Sequence, residues 1–193
     1  MSEAQAPALT EAELKLVQAL VYQECGMHFD DRRTPFLQDR VIRRLKECGI
    51  DSFYSYYRLL ISQQGKKELA QLLENLTVNE TSFFRNKAQL DLFQRDVLDD
   101  VLQRKQERHD CSLRIWSAGC STGEESYTLA MSMLEESELL LKGWTVEIVA
   151  TDLNDRSVEA AKAGVYGDYA LRNTTDHYKR KYFSPVDEKK LQV

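Results

Sequence analysis

The sequence is short of the residues that hold metals and disulfides. Its 193 residues include four cysteines (Cys25, Cys48, Cys111 and Cys120) and three histidines. No two cysteines form a Cys-x-x-Cys pair, which argues against a metal site and against a disulfide framework. Basic excess is missing too. With 26 Lys and Arg against 31 Asp and Glu, the formal net charge is −5, so general affinity for nucleic acid is not expected. No apolar run approaches the ~20 residues of a membrane-spanning helix. The stretch from Met1 to Ala8 is small and acidic, unlike a secretion signal. Internal repeats and low-complexity segments are absent as well. The expectation is a cytoplasmic chain without membrane insertion, long enough for one large domain or two small ones.

What is present is organised around Leu113-Arg-Ile-Trp-Ser-Ala-Gly-Cys-Ser-Thr-Gly-Glu-Glu-Ser126. An apolar run with Leu113, Ile115 and Trp116, expected to be buried, leads into two glycines that bracket small polar residues. A helical pattern follows from Tyr127. This is the strand, glycine turn and helix that open a nucleotide-type site, where backbone without Cβ lets a ligand lie close. A second strand, Thr145–Thr151, ends in Asp152, placed to accept hydrogen bonds from a ribose diol.

Phosphate sites pair helix-start amides with Lys or Arg. Here the turn carries Glu124 and Glu125 and no base, so a pyrophosphate would be repelled. A ligand with a ribose and a positive charge fits better, and S-adenosylmethionine is one. A plainer account of the glutamates stands beside this. Ser121 and Glu124 have capping-box spacing, and acids favour a helix N-terminus in any case.

The first third reads as four short helices. Thr10 with Glu13 makes a capping box for Leu14, Val17, Leu20 and Val21, and Gly26 stops that helix. A second helix is predicted from about Thr34 to Cys48, with Leu37, Val41, Leu45 and Cys48 as its apolar stripe. Asp51 can cap a third, bearing Phe53, Tyr56, Tyr57 and Leu60 and broken by Gly65. Leu69, Leu72, Leu73 and Leu76 mark a fourth. Arg40, Arg43 and Arg44 are expected opposite the stripe of the second helix, with Arg32, Arg33 and Lys46 nearby. Such a face is simply solvated, or, because Arg binds carboxylates bidentately, a surface for an acidic protein partner; a nucleic-acid backbone would suit it too but fits the overall charge less well.

Thr77-Val-Asn-Glu-Thr-Ser-Phe-Phe-Arg85 follows, ahead of an amphipathic helix marked by Leu90, Phe93, Val97 and Val101. Asn86 with Gln89 resembles a capping box, and Phe83 and Phe84 could simply seal two domains together. Neither accounts for Asn79, Thr81 and Arg85.

Thr77 to Arg85, Trp116-Ser-Ala-Gly-Cys-Ser-Thr-Gly-Glu-Glu125 and Ala150-Thr-Asp-Leu153 together resemble the chemotaxis receptor glutamate methyltransferase family, CheR. The likeness extends through Gly164-Val-Tyr166 to Lys181-Tyr-Phe183 and so covers nearly the whole chain. It implies an α/β protein with an all-α N-terminal domain, here residues 1–76. A Rossmann-like, doubly wound S-adenosylmethionine methyltransferase domain follows, here residues 77–193. It implies methyl esterification of receptor glutamates, with S-adenosylhomocysteine as the other product. Carried over by position, Asn79, Thr81, Arg85, Gly119, Glu124 and Asp152 would line the cofactor, with Arg85 close to the transferring methyl as the catalytic candidate. Arg33, Arg40, Arg43 and Arg44 would face the helical bundle of the receptor's cytoplasmic part.

Two departures stand out. Ser126 occupies a position where many relatives have Pro. More importantly, a doubly wound sheet needs about five strands, and two are clear here. After helices near Asp155–Ala163 and Thr175–Tyr182, with a loop through Gly164–Arg172 between them, the chain reads as a polar tail to Val193. The expectation is the N-terminal part of a longer enzyme, with one sheet edge open or covered by another chain. Alone it would bind cofactor weakly and turn over negligibly. The competing readings are a binding module without turnover and a different S-adenosylmethionine enzyme.

Overall fold

The computed structural model describes residues 9–136 and 143–193; residues 1–8, judged above to be unlike a secretion signal, lie outside them. The chain divides into two compact units between Val78 and Asn79. Among the described residues no helix is long and apolar enough to cross a membrane.

The first unit is all helix. Thr10 caps α1 (Glu11–Cys25): its hydroxyl accepts the Glu13 amide at 3.3 Å, and the Glu13 carboxylate accepts the Thr10 amide at 2.8 Å. Gly26, at φ 75°, ends it. α2 (Thr34–Glu47) takes a proline in its first turn, where a missing N–H costs nothing. Cys48 is its C-terminal cap, one residue past the last helical position. The cap position of α3 (Phe53–Leu60) is Ser52, in extended backbone, so Asp51 is not the cap.

Between α3 and α4 (Lys66–Leu76) runs a 3₁₀ turn, Gln63–Gly65. Gly65 does more there than break a helix. A Cβ on it would lie 1.8 Å from the Leu59 carbonyl oxygen. Val17, Val21, Leu37, Val41, Tyr56, Leu72 and Leu76 are wholly buried in the resulting core. Each such aliphatic side chain contributes roughly 1.5–3 kcal/mol.

The second unit opens with α5 (Lys87–Leu92), a π-helical turn (Phe93–Leu98) and α6 (Asp99–Glu107). The wider turn inserts a residue and rotates the buried stripe. Leu98 and Leu102 therefore face the core, while Val97, expected there, is exposed. Asn86 and Gln89 form no capping box; the Asn86 side chain donates from Nδ2 to Gln89 Oε1 at 3.4 Å and caps no backbone group.

β1 (Ser112–Ala118) and β2 (Thr145–Thr151) pair in parallel, from Ser112↔Thr145 to Ala118↔Thr151, with α7 (Glu124–Glu136) between them in sequence. Leu113 and Ser117 are buried, but Trp116 is 69% exposed, contrary to expectation, and its indole donates to Thr151 Oγ1 at 2.9 Å. The reason is alternation: Trp116 points to the face opposite Leu113 and Ser117. After β2 come α8 (Asp155–Ala163), β3 (Val165–Gly167), α9 (Asp176–Tyr182), β4 (Ser184–Asp187) and β5 (Lys190–Gln192).

The last three strands form an antiparallel sheet ordered β3-β5-β4. They replace what the sequence presented as part of a loop and a polar tail. Strands of three or four residues are too short to show alternation, and β4 is exposed throughout and bulged between Pro185 and Asp187. Against this sheet Phe83 is fully buried, edge-on to Tyr166 and Phe183 with ring centres 4.7 and 5.2 Å away. Phe83 therefore packs inside the second unit.

Candidate cofactor site

The turn after β1 is sewn to the tip of β2. Gly119 and Cys120 both donate their amides to the Thr151 carbonyl, at 2.8 and 2.9 Å. Ser121 donates its amide to Asp152 Oδ2 at 2.7 Å, while Asn154 donates to Asp152 Oδ1 at 2.8 Å. Three residues of this turn have positive φ: Gly119 at 78°, Ser121 at 49° and Gly123 at 96°.

The two glycines are needed for different reasons. A Cβ on Gly119 would meet nothing within 4 Å, so only its dihedral excludes a side chain and the space beside it is open. A Cβ on Gly123 would lie 2.8 Å from Ala161 Cβ and 3.0 Å from Tyr166 Oη, so packing excludes it as well.

Ser121 and Glu124 do not form the expected capping box. An N-cap is normally extended, whereas Ser121 is left-handed, and its hydroxyl donates to the Asn79 carbonyl at 3.4 Å. Glu124 is 3% exposed and accepts from Thr122 Oγ1 at 2.6 Å; Glu125 accepts from Ser117 Oγ at 2.8 Å. Tyr166 closes the far side by donating to the Thr122 carbonyl at 2.7 Å. Burial, followed by the Glu124 charge, pushes its phenol well above the ordinary value. Burial also pushes the Cys120 thiol up, with Asp152 adding to the effect.

Asn79 reaches this turn from far away in sequence. Its Nδ2 donates to Ser157 Oγ at 3.0 Å, and its carbonyl accepts from Ser121. Asn79, Gly119 and Asp152 thus meet around one turn, with Glu124 in the turn's first helical position. Thr81 and Arg85 belong to the same segment as Asn79 but are fastened differently. The Thr81 carbonyl accepts from Arg172 Nη1 at 3.5 Å, and Arg85 Nη1 donates to the Glu80 carbonyl at 2.8 Å. Glu80 itself meets Tyr169 Oη at 3.1 Å and Arg172 at 3.7 Å. Phe84, at φ 52°, is strained for a bulky residue; its amide is held by Thr128 Oγ1 at 3.2 Å and its ring lies 4.5 Å from that of Tyr178.

The residues fit the cationic, ribose-bearing ligand inferred from the sequence. Each carboxylate oxygen can accept two hydrogen bonds, and the Ser121 and Asn154 amides take one on each oxygen of Asp152. Capacity for a diol therefore remains, beside the open space at Gly119. Sequence reasoning passed over Ser121 as a partner of Asp152, and over Asn154, Ser157, Glu80, Tyr169 and Arg172. Asn154 was legible: Asn is a preferred N-cap residue and stands just before the helical stretch that starts at Asp155, and its Oδ1 accepts the Ser157 amide at 3.2 Å.

In the helical unit the arginines separate. Arg33 lies 4.9 Å over the Phe29 ring and Arg40 4.8 Å over Phe36, while Arg43 is exposed at 3.8 Å from Asp39. Arg44 does not belong to the solvated face. Its side chain is 13% exposed and grips Glu68, 12% exposed, with both Nε and Nη2, and it also meets Glu47. Tyr56 Oη donates to the same Glu68 carboxylate at 2.8 Å. Burial alone would raise the Glu68 pKa, but the bonds from Arg44 and Tyr56 outweigh it and hold the group below its ordinary value.

Residues 12–77 match the CheR methyltransferase all-alpha domain, and residues 79–193 match the CheR methyltransferase SAM binding domain. The chain is 30% identical over 185 residues to the chemotaxis protein methyltransferase of Borreliella burgdorferi, covering 96% of this chain and 65% of that protein. It is 31% identical over 176 residues to chemotaxis protein methyltransferase 2 of Vibrio cholerae, covering 91% and 60%. The Escherichia coli chemotaxis protein methyltransferase gives 31% over 176 residues, covering 91% and 58%. The chain thus spans about three fifths of the length of these curated relatives. It belongs to the CheR methyltransferase family, with an all-alpha domain followed by a domain that binds S-adenosylmethionine.

Proposed function

We propose that this chain acts in S-adenosylmethionine-dependent methylation of glutamate side chains on chemoreceptor-like proteins in the cytoplasm. The observation that carries this is the meeting of Asn79, Gly119 and Asp152 around one turn whose helix begins with the buried Glu124. Asp152 would hold the ribose, Glu124 the methionine portion, and Asn79 and Thr81 the flank. The bound cofactor supplies a methyl group on a positively charged sulfur.

A substrate glutamate, with an unperturbed pKa of ~4.3, is already anionic at neutral pH and needs no general base. The chain's task is therefore alignment and exclusion of water, worth at most ~7–11 kcal/mol. Arg85 would orient the incoming carboxylate. A guanidinium has five N–H donors, of which Nη1 holds the Glu80 carbonyl. The carboxylate charge is consumed on transfer, so Arg85 contributes position rather than product stabilisation. Arg33, Arg40 and Arg43 would present cation to the receptor's helical bundle; Arg44 supports them from inside.

The test is labelled S-adenosylmethionine with a receptor cytoplasmic fragment. Base-labile label on the receptor is expected, at a rate far below that of full-length relatives. Arg33→Glu with Arg43→Glu should lower that label while leaving S-adenosylhomocysteine affinity alone. Binding of S-adenosylhomocysteine with no label transferred would make the chain a binding module instead.

A further inference from the structure

Asn79 is the residue of the site that comes from farthest away in sequence, and something must hold its carboxamide in place. The partner is Ser157, the third residue of α8, 78 positions along the chain, whose hydroxyl receives Asn79 Nδ2 at 3.0 Å. Ser157 is 4% exposed and Asn154, which caps the helix, is 6% exposed. The bonds close a ring. Asn79 binds Ser157; the Ser157 amide binds Asn154 Oδ1 at 3.2 Å; the Asn154 amide binds Asp152 Oδ1 at 2.8 Å. Asp152 Oδ2 accepts the Ser121 amide at 2.7 Å, and Ser121 Oγ returns to the Asn79 carbonyl at 3.4 Å.

We propose that Ser157 is a positioning residue for the cofactor site, fixing the Asn79 carboxamide relative to Asp152. This rests on the assignment of Asn79 and Asp152 to the cofactor. Ser126, in the same third position of α7, donates its hydroxyl back to the Gly123 carbonyl at 2.8 Å, whereas Ser157 Oγ receives Asn79 Nδ2 from across the chain. Its cross-chain bond to Asn79 is thus not a by-product of helix formation. With one N–H of Nδ2 committed to Ser157, Asn79 keeps its carboxamide oxygen as an acceptor and its second N–H as a donor toward the ligand. Losing Ser157 Oγ frees the carboxamide to rotate, and ordering it again is then charged to ligand binding.

The experiment is a double-mutant cycle on S-adenosylhomocysteine affinity, read by calorimetry, with Ser157→Ala, Asn79→Ala and the pair. Alanine is the better helix former, so α8 should persist, and melting temperature is followed in parallel. Ser157→Ala should weaken binding about five- to tenfold in the wild-type background and hardly at all beside Asn79→Ala. Equal losses in both backgrounds, or no loss in the wild type, would overturn the role of Ser157. Asp152→Ala serves as the control. If it too binds normally, or if the unmodified chain binds nothing, the assignment of the site itself fails. If Asp152→Ala is weakened and Ser157→Ala is not, only the positioning role fails.

Discussion

Ser121 donates its backbone amide to the Asp152 carboxylate at 2.7 Å, tying the glycine turn to the tip of the neighbouring strand. The acid expected to face only a ribose therefore also holds the shape of the turn. Its two functions are compatible because an ionised carboxylate has more acceptor capacity than two amides use.

Replacing Asp152 should accordingly have two effects. Hydrogen bonds to a charged acceptor are worth about 1.5–3 kcal/mol each. Asp152→Ala should weaken S-adenosylhomocysteine binding roughly a hundredfold or more, and it should speed amide exchange at Ser121 and Asn154. Calorimetry showing less than a threefold loss, with the fold intact, would remove Asp152 from the site.

The two turn glycines should respond differently to alanine. A non-glycine residue in left-handed backbone costs roughly 1–2 kcal/mol, and both positions pay that. Gly123→Ala adds a clash with Ala161 Cβ and Tyr166 Oη. It should lower the melting temperature more than Gly119→Ala does. Gly119→Ala should instead chiefly reduce cofactor affinity, because its methyl enters open space beside the turn. Equal melting temperatures would contradict the packing account of Gly123.

Arg44 belongs with the core of the helical unit. Removing one partner of a buried ion pair costs about 3–5 kcal/mol, and exposed pairs are worth about 1 kcal/mol or less. With both side chains slightly exposed, Arg44→Ala or Glu68→Ala alone should cost about 2–3 kcal/mol in denaturant unfolding. Arg44→Met with Glu68→Leu and Tyr56→Phe removes charge and hydroxyl together and should recover most of that loss. A triple variant no more stable than the single ones would count against the buried network.

What could be read in advance follows from how local each signal was. The Thr10 cap, the stop at Gly26, the helical stripes of the first unit and both parallel strands depend on neighbours within a few residues, and they stand where expected. The face of Arg44 did not: three residues after Val41 and seven after Leu37, it lies beside the apolar stripe rather than opposite it, and its partner Glu68 is 24 residues on. Trp116 looked buried because apolar runs in parallel strands usually are; one face of this strand is open. The π-turn at Phe93–Leu98 shifted the expected stripe by one residue without any Gly or Pro to announce it. Of the motif residues proposed to line the cofactor, Asn79, Gly119 and Asp152 meet at one turn. The ring through Asn154 and Ser157 was not legible in the sequence, since its closure depends on tertiary contacts.

The last prediction concerns pH. Among the described residues one carboxylate fastens α9 to the end of α7: Glu135 Oε1 accepts Tyr182 Oη at 2.8 Å and lies 3.0 Å from Lys181 Nζ and 3.2 Å from His177 Nε2. The bond from Tyr182, followed by that from Lys181, holds the Glu135 pKa down at about 2. A depressed carboxylate stabilises the docked state fully above its unfolded pKa of ~4.3 and loses that contribution as pH falls toward the folded value. Between pH 5 and pH 3 the α9 amides should therefore exchange faster, after correction for the intrinsic rate, than at pH 6. Glu135→Gln keeps an acceptor for Tyr182 but carries no charge for Lys181. Its α9 should exchange faster than wild type already at pH 6 and change little on acidification. If the variant and the wild type show the same acid dependence, Glu135 is not the group that fastens α9.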